Sequence, residues 1–153
     1  MLRIVAVSLV LLCCQVPAHA GTAEDAMAAF DKFFPSFVQG NQQATAALFA
    51  PDAQFYGTLS RDLVTTADGV FQYFNAALSN PAPVKATPLG ATAMVLSDSV
   101  VLIAGSWQAE RTLDGKTTVA GPFRTTAVMQ KRGDRWLIVQ FHNSPRPAPP
   151  PAR

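Results

Sequence analysis

Apolar positions keep a three- and four-residue spacing in the early part of the chain and a two-residue spacing later, and this change of period separates helices from strands. Ala23, Met27, Phe30, Phe34 and Phe37 fall on one face of a helix, with Glu24 and Asp25 in the first turn, where the helix dipole favours acids. Gly40 and Asn41 read as a stop followed by a new cap, so a second short helix runs to about Leu48 and Pro51 ends it. Residues 53–59 alternate and hold two aromatics, the pattern of a short strand. A third helix is capped by Thr65 or Thr66, carries Asp68 in its first turn and presents Val70, Phe71, Phe74, Ala77 and Leu78 as its stripe. Asn80-Pro81-Ala82-Pro83 closes it.

From there the punctuation belongs to hairpins. Turns at Ser97-Asp98, Asp114-Gly115 and Arg132-Gly133-Asp134 predict strands over roughly 83–96, 100–112, 116–131 and 135–143. Three N-terminal helices packed on a curved antiparallel sheet make an α+β, cone-shaped domain around an apolar cavity. Val100, Leu102 and Ala104 alternate with Val101 and Ile103, so both faces of that strand are apolar. A sheet apolar on both faces wants a cover on its outer side, and a homodimer through the sheet supplies one.

The first twenty residues read differently. Arg3, the apolar run from Ile4 to Cys14 and the small-x-small pattern Ala18-His19-Ala20 form a secretory signal cut after Ala20, which predicts a periplasmic or secreted protein without a stable membrane anchor. The domain then occupies 21–145, and the Pro-rich residues 146–153 form an extended, disordered tail. Cleavage removes both cysteines, Cys13 and Cys14, and leaves His142 as the single histidine. Disulfide scaffolds, cysteine nucleophiles and a metal site are thereby excluded, and without a glycine-rich phosphate loop no nucleotide cofactor is expected. A net charge of +2, with no run of Lys or Arg, argues against nucleic acid.

The closing segment Trp136-Leu137-Ile138-Val139-Gln140-Phe141-His142-Asn143-Ser144-Pro145, preceded by Lys131 to Arg135, resembles the last strand of the nuclear transport factor 2-like superfamily. It is most similar to the SnoaL-like group and to the association domain of calcium/calmodulin-dependent protein kinase II. Ala47 to Ala53 resembles the helix-to-strand junction of that superfamily, and Gly57-Thr58-Leu59-Ser60 with Thr65-Thr66 and Tyr73-Phe74 its passage into the third helix. The resemblance spans about Ala23 to Pro147. It implies the cone fold and dimerisation through the sheet. Function stays open, because this fold carries isomerases, dehydratases, cyclases and oligomerising modules.

A two-residue turn at Asp114-Gly115 pairs Gly105 with Arg124 and Trp107 with Pro122; a three-residue loop at Arg132 to Asp134 sets Arg124 opposite His142 while a two-residue loop breaks that parity, and the resemblance favours the first register. Arg124, His142, Gln140 and Trp107 then share the cavity face, joined by Tyr56 and Tyr73. A buried arginine needs an acceptor, so the expected function is an exported small-molecule-binding protein whose apolar pocket takes a small organic ligand, a carboxylate or carbonyl compound, on Arg124. The kinase association domain resembles this in having an arginine-bearing pocket. Plainer roles exist for each residue: a salt bridge for Arg124, a cross-strand or interface position for His142, a dimer contact for Trp107, Tyr56 and Tyr73. Two other functions compete: a cofactor-free isomerase, cyclase or hydratase with His142 as acid/base, and a homo-oligomerising interaction domain without a ligand. Steroid isomerases, which the first strand resembles, place a base Asp where this chain has Phe55-Tyr56-Gly57, and Asp52 reads as a strand-entrance residue.

Overall fold

A computed structural model describes residues 18–79 and 84–148, so the body of the signal segment, the Asn80–Pro83 helix closure and the end of the tail lie outside the described residues. The elements follow in the order α1 (Ala18–Asp31), α2 (Phe33–Val38), α3 (Gln42–Ala46), β1 (Phe49–Tyr56), α4 (Ala67–Ala77), β2 (Val84–Ser97), β3 (Val100–Leu113), β4 (Lys116–Arg132) and β5 (Arg135–Pro145). The single first helix expected from the apolar stripe is broken at Lys32. Pro35 explains the break: it has no N–H to give the carbonyl four residues earlier, so α1 stops and α2 restarts. Asn41 caps α3 by accepting from the Ala44 N–H at 2.9 Å, and Thr66 caps α4 by accepting from Gly69 at 3.1 Å.

The five strands form one sheet in the order β1-β5-β4-β3-β2. It is mixed rather than wholly antiparallel, because β1 runs parallel to β5 with Tyr56 beside His142. No hairpin joins those two strands, so nothing forces them to be antiparallel. The sheet curves without closing. Pro51 stands inside β1 instead of ending the preceding helix, and it falls where the β1–β5 register slips, a place where a missing N–H is tolerated.

The helices cover the concave face. Val101, Ile103, Trp107, Phe123, Ala127, Met129, Ile138 and Phe141 are buried there against Phe30, Phe33, Phe55, Val70 and Phe74. The rings interlock at 5–6 Å: Phe33 meets Phe141 at 5.7 Å and Phe74 at 6.0 Å, and Phe55 stacks on Phe141 at 5.4 Å.

Two register slips decide which residues face inward. Between Ala109–Ala120 and Trp107–Phe123 the β4 strand spends one residue more than β3, at Gly121-Pro122. Arg124 is therefore carried from the row of Gly105 to that of Ser106, on the convex face. The β4–β5 loop has two residues, Gly133 and Asp134, since Arg132 pairs with Arg135. A second slip between Val128 and Met129 then sets Arg124 opposite Ser144 and Thr126 opposite His142. The expected pairings of Arg124 with Gly105 and with His142, and of Trp107 with Pro122, are corrected accordingly. The pairings of Arg124 with Gly105 and Trp107 with Pro122 omitted a bulge, which exchanges the faces of everything beyond it; the pairing with His142 took a three-residue loop where there are two, and the second slip returns Arg124 and His142 to one face two residues out of the expected register.

Candidate functional site

Between the helices and the curled β3–β4 hairpin lies a cavity of about 340 Å³. Its wall is aromatic and aliphatic, with Phe33, Phe37, Phe55, Phe74, Phe123 and Phe141 contributing rings and Ala77, Val84, Ala109 and Ala120 small side chains. Polar atoms enter at few places: Asn143 from β5, Thr58 from the passage between β1 and α4, Tyr73 from α4, Trp107 from β3, and Arg111 with Thr118 near the hairpin tip. Arg111 and Thr118 are register partners.

Behind the aromatic wall runs a hydrogen-bond cluster whose polarity is fixed by one donor. The Trp107 indole N–H can only donate, and it reaches both Thr125 Oγ1 and Asn143 Oδ1 at 3.0 Å. The Asn143 amide must therefore turn its oxygen to Trp107. Thr125 Oγ1 donates to that same oxygen in a short contact, and Asn143 Nδ2 donates to Thr58 Oγ1. Trp107, Thr125 and Asn143 are all buried, so the cluster satisfies polar groups that would otherwise be stranded in an apolar core.

Tyr73 completes this wall. Its ring packs edge-on to Phe55 at 4.7 Å and covers Gly57, where an added Cβ would stand 2.1 Å from Cζ. Its oxygen accepts from the Leu59 N–H at 3.3 Å. Burial pushes the Tyr73 phenol above its ordinary range, and the Leu59 and Thr58 donors only partly oppose that rise.

Of the six residues expected to form the site, the structure brings Trp107 and Tyr73 to the cavity. Arg124, Gln140, His142 and Tyr56 lie on the opposite, outer face; the two-residue loop alone would have parted Arg124 from His142 and Gln140, and the slip after Val128 returns them to one side. Arg124 and His142 are exposed, and the Tyr56 and His142 rings lie 6.0 Å apart. The arginine of the cavity wall is Arg111. Sequence reasoning did not single out Asn143, Thr58, Thr125 or Arg111. Asn143 carried one usable signal, its two-step spacing from Phe141.

Asp52 lies inside β1 rather than at its entrance, because the strand starts earlier, at Phe49; it is exposed and pairs with Arg132, 2.6 Å from Nη1. The Arg132 hydrogen bonds hold the Asp52 carboxyl below the usual carboxylate range. Among the described residues no three His, Cys, Asp or Glu side chains gather as a metal site, and no helix is long and apolar enough to cross a membrane.

The sequence model of the SnoaL-like domain matches residues 26–149. Among solved structures, the chain is similar to a candidate calcium/calmodulin-dependent protein kinase II association domain from Xanthomonas campestris, with 29% identity and a TM-score of 0.71 over 79% of this chain and 85% of that one. A candidate dehydratase of the NTF2-like family from Streptomyces avermitilis superposes with a TM-score of 0.74 at 14% identity, covering 84% of this chain and 99% of its own. A protein from Catenulispora acidiphila, solved in complex with S-DNPA, superposes at 0.71 with 17% identity over 82% and 93% of the two chains. No curated protein matches the chain.

Proposed function

The chain belongs to the SnoaL-like domain family, and from that premise we propose that it binds a small, mainly apolar organic molecule carrying a carboxylate or carbonyl group. One observation carries this reading: the space under the helices is left open at about 340 Å³ although ring side chains surround it. That volume suits a molecule of one or two rings. A domain kept only for assembly gains nothing from an open core, since unfilled apolar space costs stability. The arginine role passes from Arg124 to Arg111, which stands in the wall.

The enzyme alternative built on His142 has less support, because that imidazole is exposed on the convex face and the described residues lining the cavity include no Asp, Glu or His. Titration with 2-naphthoate, followed by protein fluorescence, tests the proposal. Binding by the native chain and none by Ala109→Phe, with circular dichroism unchanged, is the expected result; equal binding by both puts the ligand elsewhere. Arg111→Gln should weaken 2-naphthoate by roughly tenfold, the scale of a charge-assisted hydrogen bond.

The reading also includes export and a homodimer. Export is supported by the signal-like pattern ahead of residue 21, and an N-terminus beginning at Gly21 in protein from its native host is the expected finding. The dimer is supported by the apolar convex face, where Met94 and Leu96 are 61% and 54% exposed beside half-buried Leu102 and Val128.

A further inference from the structure

The cluster behind the cavity has a direction, and that direction ends at Tyr73. Trp107 Nε1 donates to Asn143 Oδ1, which commits Asn143 Nδ2 to donate to Thr58 Oγ1. With that oxygen accepting, the Thr58 proton points away from Asn143. The next polar oxygen in the wall belongs to Tyr73, which already accepts the Leu59 N–H at 3.3 Å. The Leu59 N–H bond on the Tyr73 oxygen is an accepted one, and with Thr58 turning its own proton away from Asn143 toward this oxygen, the phenol proton is free to meet a partner in the cavity. Packing holds it there: the ring is clamped between Phe55, at 4.7 Å, and the bare backbone of Gly57.

We propose that the Tyr73 hydroxyl is the specificity-determining donor of the cavity, and that it selects ligands presenting a carbonyl oxygen over hydrocarbons of the same shape. This rests on the reading of the cavity as a ligand site and adds the class of group read at this wall. A hydroxyl whose oxygen is pinned by a backbone donor rotates its proton toward the cavity, where a carbonyl accepts it and a hydrocarbon leaves it unmatched. Burial also holds the phenol in its protonated, donating form well into the alkaline range.

The test compares two probes of matched outline, 2-acetonaphthone and 2-ethylnaphthalene, by competition against a bound fluorophore. The native chain should prefer the ketone by roughly fivefold to tenfold. Tyr73→Phe, which keeps the ring and removes the donor, should bring the two affinities together by weakening the ketone and no longer penalising the hydrocarbon. A ketone preference surviving in Tyr73→Phe, or absent from the native chain while both probes bind, overturns the inference and leaves the cavity reading standing. Binding of neither probe sinks the cavity reading, and this inference with it. Should Tyr73→Phe fail to fold, the carbonyl stretch of 2-acetonaphthone bound to the native chain decides. A frequency below that in hydrocarbon solvent supports the donor, and an unshifted one refutes it.

Discussion

Gly57 lacks a side chain for a reason visible in its neighbour, since a methyl group there would overlap the Tyr73 ring. Gly57→Ala should destabilise the fold by roughly 1–3 kcal/mol in urea unfolding, and a nuclear Overhauser contact between the new methyl and the displaced ring would report the cause. Asn143→Leu strips the Trp107 indole and Thr58 of a shared partner inside the core. A loss of about 1–3 kcal/mol is expected in the same assay. Tyr73 sets a pH effect of definite sign. Its native pKa lies above the ordinary 10.0, so the unfolded chain releases its phenol proton first as pH rises, and stability falls through that window. Tyr73→Phe should flatten that alkaline decline. Asp52 acts oppositely: its lowered pKa gives stability that is present above the ordinary carboxylate value and lost as pH falls through the native one. At this scale the sequence spoke unevenly. Trp107 and Tyr73 announced themselves as large amphipathic groups, whereas a lone asparagine near a strand end carries no mark of being buried.

Among the elements, period and turn chemistry served well because each strand is bounded by residues suited to its turn. Asp114 and Gly115 both take positive φ at the β3–β4 tip, and Gly133 does so at the next. The expected strands agree with β2 to β5 within a residue or two. Facing was the part that stayed hidden. A bulge adds one residue without altering hydrophobic alternation on either side, and the chain has such slips in both the β3–β4 and β4–β5 pairings. Gly121 marks the first of them: its φ is +105° and an added Cβ would lie 3.0 Å from the Phe123 nitrogen. Gly121→Ala should therefore cost roughly 1–3 kcal/mol and weaken 2-naphthoate binding, because the hairpin carrying Arg111 and Thr118 over the cavity departs from that point. Ligand titration alongside urea unfolding separates the two effects.

On the scale of the whole molecule, the proposed dimer assigns the convex face a use that the cavity does not need. Met94→Glu puts a charge among the exposed apolar side chains of that face, on the border strand β2, and sedimentation at micromolar concentration should show the variant as a monomer that still binds 2-naphthoate. A native chain that sediments only as a monomer would remove the dimer from the reading. The borders of the sheet bear on the same question. At one border β1 carries Pro51 within its slip against β5, and at the other β2 slips between Pro88 and Ala91, with Gly90 at a φ of +116°. Neither rim offers an unbroken row of amides to an incoming chain. Concentrated solutions should accordingly yield discrete particles rather than fibrils, since growth by endless edge-to-edge templating is interrupted on both sides.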